Sequence, residues 1–383
     1  MGRTAGILLF LAVTGTGFAQ SWTSNSLPFL YVLGAGMSAD GSVIASASGD
    51  HGVYVSTDYG ATWTNYPQTV TGYGGRAGVS ADGKKIFVLG GSSKFACSTN
   101  SGKDWFFAGT NAPLMFNFLA VSADGNTLIG GSDSGLFTST NGGVNWVTNF
   151  NGAWKCGAAS GDGLTLLAGC GAGYTNGLVI STNSGATWRS SQLPLKGWSS
   201  AICSVDGQTM VALAYTPAAI YISTNGGLNW ITNAPPSPYN SPYLSGSADA
   251  QKLVYWLNPS VGYLYTSTNL GATWITNAVP LDYWTQALVT ADGNRRVAFK
   301  NQSMWVSTDD SPPALNLQRS GDGLVASWTV PSMAFHLDAA LGSVSAGWSQ
   351  VTNSPTLNNS NLHYEVDLPI SPGSAFFRLS GMK

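Results

Sequence analysis

Charge is scarce in this chain. Asp, Glu, Lys and Arg make up 9% of its 383 residues, where an average soluble domain has about 25%. No basic run or stripe occurs and the formal net charge is −2, which excludes nucleic acid and anionic membrane as natural partners. Glutamate is nearly absent: Glu365 is the single example. Cysteine is sparse, with Cys97, Cys156, Cys170 and Cys203, too few for a disulfide framework at this length and without metal-site spacing. Cys156 and Cys170 flank one predicted hairpin, so a bridge between them and free buried thiols both stay open.

Long apolar runs are missing as well. The stretch Gly6–Val13 behind Arg3 falls short of the roughly 20 residues needed to span a bilayer. With Gly17-Phe18-Ala19 after it, it reads as a signal peptide over residues 1–19, cleaved after Ala19. The expected location is extracellular or in the cell envelope, with no membrane insertion once the leader is removed. What remains is not disordered: 44% of residues are hydrophobic and 14 are Trp.

The chain repeats itself. The string Ser-Thr-(Asp/Asn)-x-Gly-x-x-Trp starts at Ser56, Ser98, Ser139, Ser181, Ser223 and Ser267, a period of about 42 residues. A truncated copy at Ser307-Thr308-Asp309-Asp310 stops at Pro312-Pro313. Each copy follows a Ser-x-Asp-Gly-like turn with its Asp at 40, 82, 124, 162, 206, 249 or 292. Between these turns lie β-prone runs that divide each unit into four short strands. Four strands per unit, repeated seven times, describe an all-β, seven-bladed β-propeller over residues 20–311. The seventh unit lacks its outer strand, and "SWTSN" at residues 21–25 supplies it from the other end of the chain. The ring is thus expected to close on its N-terminal strand, leaving no open sheet edge.

Ser56-Thr57-Asp58-Tyr59-Gly60-Ala61-Thr62-Trp63 resembles the Asp-box, or BNR, repeat of sialidases, sortilin-type receptors, xyloglucan-degrading propellers and photosystem II assembly factors. Five other boxes carry Asn100, Asn141, Asn183, Asn225 and Asn269 at the Asp position. The resemblance implies the propeller fold and not one activity, since those families do unrelated things. A short carboxylate or amide caps a tight turn equally well, whereas a general acid or metal ligand would not tolerate the exchange, so the boxes read as structural. No metal or cofactor is expected.

Boxes join strands three and four, and the Ser-x-Asp-Gly turns join strands one and two, so both belong to one side of the disc. Function is expected on the opposite loops. Phe116, Trp154, Trp198 and Trp284 recur six residues before their turns, and with Tyr73 and Tyr283 they form the candidate ligand-binding set for an extracellular glycan or protein. Packing between blades is the competing role.

Hydrolysis of a glycan needs two carboxyl groups. Once the turn and box residues are set aside, Asp50, Asp133 and Asp282 remain on the loop side. Asp50 and Asp282, near neighbours around the ring, form the alternative catalytic pair of a glycoside hydrolase. A sialidase also needs an arginine triad, and the repeats hold Arg76, Arg189, Arg295 and Arg296, the last three beside box or turn motifs. The sialidase reading therefore fails, and a monomeric, non-catalytic binding propeller is preferred. Residues 312–383 alternate apolar and polar without a box and are expected to form a small β-sandwich, resembling modules at the ends of secreted bacterial proteins. His336 and His363 there are isolated and read as ordinary histidines.

Overall fold

The computed structural model describes residues 21–48, 52–67, 75–89, 95–108, 115–173, 177–215, 217–237, 242–258, 260–309, 311–321, 323–331, 335–369 and 375–381. The leader expected at 1–19, together with Asp50, His51 and Tyr73, lies outside them.

Seven four-stranded antiparallel sheets follow one another along the chain. The first comprises Val32–Met37, Ile44–Ser48, Gly52–Ser56 and Thr64–Tyr66. The seventh comprises Gln286–Val289, Arg295–Lys300, Ser303–Thr308 and, at its outer edge, Trp22–Ser26. Trp22 pairs with Ser307 and Ser26 with Ser303, so the N-terminal strand does complete the last sheet.

The hydrophobic core lies between sheets rather than within them. Ala45, Val53 and Val55 of the first sheet pack against Ile86 and Val88 of the second, and each later sheet shares a cluster with the next. The seventh returns to the first through Phe299 and Met304 against Val32 and Ile44. Every one of these seven clusters takes a tryptophan from the box position or its equivalent. Six are box residues: Trp63, Trp105, Trp146, Trp188, Trp230 and Trp274. The seventh is Trp22.

A second closed ring runs through the backbone. Ala39 donates to Ala81, Ala81 to Ala123, Ala123 to Gly161, Gly161 to Val205, Val205 to Ala248, Ala248 to Ala291, and Ala291 back to Ala39, all at 2.7–3.0 Å. These residues sit in the Ser-x-Asp-Gly turns, so the innermost strands are tied at one end. Box and turn share that side, because each box turn donates a backbone bond to its turn, as Tyr59 N–H does to Ser42 O at 3.0 Å.

After Pro312-Pro313 the chain builds two further sheets. One holds Asn316–Ser320, Gly323–Thr329, His363–Pro369 and Thr356–Asn358; the other holds Ser349–Gln350, Phe335–Leu341 and Ala375–Gly381. Trp328, Leu337, Val366, Phe377 and Leu379 share one core between them. This module leans on the box side: Val330, Leu357, Leu362 and Tyr364 pack against Ala39 and Ala291 of the backbone ring.

Candidate functional site

The boxes are turn hardware. Ser56 Oγ donates to Asp58 Oδ1 at 2.8 Å, Gly60 N–H donates to Ser56 Oγ at 2.7 Å, and Thr62 N–H donates to Asp58 Oδ1 at 2.8 Å. Asn183 takes over the role of Asp58 unchanged, accepting from Ser181 Oγ at 3.0 Å and Thr187 N–H at 2.8 Å. Gly60 sits at φ 86°, in the left-handed region that side chains disfavour, and its carbonyl accepts from Trp63 Nε1 at 3.1 Å. The side-chain acceptors of Ser56 and Asp58 are turned inward on their own turn.

The recurring aromatics are core residues. Trp154, Trp198 and Trp284 are 0% exposed and Phe116 is 3% exposed, so none offers a ring face to a ligand. Trp154 and Trp198 open the innermost strands Trp154–Ala159 and Trp198–Cys203. The register jumps immediately after each, from Trp154/Cys170 to Cys156/Gly169 and from Trp198/Ala214 to Ser200/Leu213. Lys155 and Ser199 are the extra residues of these bulges, and a bulge re-aims a side chain at a barrel rim. The bulged residues, not the tryptophans, line the central cavity. Leu33 does the same in the first sheet, where the register jumps between Val32 and Gly34.

That cavity, about 720 Å³, runs among the innermost strands of all seven sheets. Its box-side end continues into a smaller space of about 200 Å³ walled in part by Leu362 of the C-terminal module. The other end opens among Tyr31, Arg76, Asn117, Lys155, Tyr243 and Asn258. Three structural clamps hold this mouth. Gln286 spans the seam between the seventh and first sheets, accepting from Ala35 N–H at 2.7 Å and donating to Ala35 O at 2.8 Å. Ser200 Oγ accepts from Leu244 N–H at 2.9 Å. Arg76 reaches from the second sheet to carbonyls on both neighbours, Leu33 O at 2.6 Å and Asn117 O at 2.7 Å.

The two described carboxylates of this face, Asp133 and Asp282, are engaged. Asp282 meets Lys300 Nζ at 2.6 Å and accepts from Tyr283 N–H at 2.8 Å. The Lys300 hydrogen bond holds its carboxyl below the usual range, so it stays ionised and has no proton to donate. Asp133 is held low in the same way by Lys155, at 2.5 Å, and by Asn117, at 2.9 Å. Arg189 and Arg295 do point to the box side, bonding Gly226 O, Gly227 O and Tyr59 O of adjacent boxes. All four cysteines are free, and burial pushes the Cys97 and Cys203 thiols up to about 12, away from reactivity.

An exposed apolar feature lies just ahead of the first strand of the seventh sheet. A two-stranded bridge pairs Gly262 with Asp282. Its flanking residues Val261, Tyr263, Leu281 and Tyr283 are 41%, 41%, 55% and 52% exposed. Tyr283 is thus the one aromatic of the expected binding set that the described structure leaves in solvent. Tyr31, at the 7-to-1 connection, is 55% exposed. Sequence reasoning passed over Tyr31, Arg76, Asn117 and Tyr243, because single polar residues at strand starts carry no repeat signature.

No family model and no curated relative matches the sequence. Solved structures do match. The chain is similar to a GH74 enzyme of Niastella koreensis, with TM-score 0.61 and 14% identity, covering 80% of this chain and 58% of that one. It is similar to YCF48 bound to a D1 peptide, with TM-score 0.58 and 14% identity, covering 76% and 97%. The GH74 xyloglucanase of Xanthomonas campestris matches with TM-score 0.56 and 15% identity, covering 82% and 54%. The fold is a β-propeller. The chain spans somewhat more than half the length of the two GH74 chains and nearly the whole length of YCF48. At these identities the likeness carries the fold alone, and the fold is shared by glycoside hydrolases and a peptide-bound propeller.

Proposed function

We propose that this chain is a secreted binding protein: a seven-bladed Asp-box propeller, closed by its N-terminal strand and followed by a small β-sandwich, that takes an extracellular ligand at the channel mouth opposite the boxes. One observation carries the reading. The cavity of about 720 Å³ falls in the size range of ligand pockets, and Tyr31, 55% exposed, is among the residues that line it. YCF48, solved bound to a D1 peptide, supports the idea that one such propeller can hold a ligand.

The glycoside hydrolase alternative takes its support from the GH74 likeness. In that reading Asp282, kept ionised by Lys300, serves as base or nucleophile, and Asp50 has to supply the proton.

A panel of polysaccharides and envelope proteins separates the two. Retention without new reducing ends, weakened in a Tyr31→Ala/Tyr283→Ala variant of unchanged melting temperature, supports binding. Cleavage that disappears in Asp282→Asn or Asp50→Asn moves the protein among the hydrolases.

A further inference from the structure

Arg76 carries a positive charge that the described structure leaves without an anion. A guanidinium has five N–H donors. Nε serves Asn117 O at 2.7 Å, and Nη1 serves Leu33 O at 2.6 Å and Gly75 O at 3.0 Å. Every partner among the described residues is a neutral carbonyl, so the group is hydrogen-bonded but not neutralised there, and the two N–H groups of Nη2 have no partner among them. Two other cations of this face differ, since Lys155 has Asp133 and Lys300 has Asp282. Among the described residues no carboxylate pairs with Arg76, and none lines the cavity it borders. Its partial burial matters because a guanidinium withdrawn from water gains more from an incoming anion than one on the surface.

We propose that Arg76 makes the channel mouth a receptor for a carboxylate, and that the carboxylate belongs to an acidic saccharide, a chain bearing uronic acids. This rests on the binding function proposed above and names its ligand class. The saccharide is favoured over other carboxylates by what surrounds Arg76. The innermost strands are edge strands, whose outer N–H and C=O groups face the channel and suit a hydroxyl-rich ligand. Ser199, Tyr243 and Asn258 add side-chain donors and acceptors. The side chain of Tyr31, which lines the cavity, stands exposed, where a sugar face can stack.

The test uses the chain from residue 20 onward and calorimetric titration with an oligogalacturonide, its fully methyl-esterified form, a neutral xyloglucan oligosaccharide, and a peptide ending in a free carboxylate. The acid form should bind at least about tenfold more tightly than the ester, and its affinity should fall as salt rises. Arg76→Gln should remove that tenfold preference. Because Arg76 also bonds three carbonyls, the ester comparison on the unaltered protein stands whether or not the variant folds. Equal binding of acid, ester and neutral chains overturns the carboxylate site while leaving saccharide binding intact. Binding of the peptide alone overturns the saccharide class. Failure of all four overturns this proposal, and the binding function behind it falls only if the wider panel of glycans and envelope proteins is also unretained.

Discussion

Trp22 stands opposite Ser307 in the last sheet, the register that the strand pairing of Val55 with Thr64 gives Trp63 beside Ser56. Trp22 therefore stands in for the tryptophan that the truncated seventh box lacks, and it fills the same kind of cluster, between the sixth and seventh sheets. Trp22→Ala should cost about 3 kcal/mol, the low end for a large aromatic, since Trp22 is only partly buried. Deleting residues 21–26 removes the strand as well and opens the outer edge of the seventh sheet, so aggregation should accompany the fall in melting temperature. Cysteines at Thr23 and Val306, which are register partners, should cross-link under oxidation. A deletion variant that melts like the intact protein would show that the ring closes without the strand.

The box makes a prediction about chemistry that matters little. Asp58→Asn should be close to neutral, because Asn183 already makes the equivalent bonds and donates from Nδ2 to Thr187 Oγ1 at 2.9 Å. Asp58→Ala should cost about 1–2 kcal/mol, since it strands the Ser56 and Thr62 donors. Equilibrium denaturation of both variants checks the ordering. A large loss in Asp58→Asn would mean that the negative charge itself has a task at the first box.

The ring, the box and the clasp were legible in the sequence for one reason: each is repeated. A period of about 42 residues exposes what seven equivalent positions need, and the missing strand shows as a gap in that period. The site was not legible because it departs from the repeat. Trp154, Trp198 and Trp284 recur since every seam between sheets needs filling, so recurrence pointed to the core. The bulges that turn Leu33, Lys155 and Ser199 into the channel shift the inside–outside alternation by one residue, which no residue type announces. Arg76 is used once only.

Acid should unfold the protein in a specific window. Asp82 and Asp124 are held below their ordinary value of 3.8: burial pulls them up, but the hydrogen bonds from Ser80 and Lys84, and from Ser122 and Asn126, outweigh it. Asp133 and Asp282 are lowered by their lysines. A carboxylate whose folded pKa is depressed contributes stability above its unfolded value and loses it as pH falls through the folded value. The melting temperature should therefore be level from neutral pH down to about 5 and decline steadily below about 4. A decline beginning near pH 6 would point to histidine, with His363 the group to examine, since burial already lowers its pKa.

The last sheet also carries a charge where its siblings carry oil. The residue paired with the box serine is Ile44, Ile86, Leu128, Leu166, Met210 or Leu253 in the first six sheets. In the seventh it is Arg296, 1% exposed. Desolvation draws the guanidinium down to about 10, and Asp309 and Asp292 oppose that shift. The substitution follows from the truncated box. In the first sheet Gly60 closes over Ile44; in the seventh the chain leaves at Asp309 for the C-terminal module, and the buried guanidinium of Arg296 lies within electrostatic reach of Asp309 and Asp292. Arg296→Met should thus destabilise by about 1–2 kcal/mol, because it removes the positive charge that faces Asp309 and Asp292, although each of the six siblings holds an aliphatic there. Adding Asp309→Asn to that variant should recover part of the loss, because it removes the carboxylate left behind. Chemical denaturation of the single and double variants measures the coupling. Additive losses would mean that Arg296 acts by filling space, and that Asp309 is not its partner.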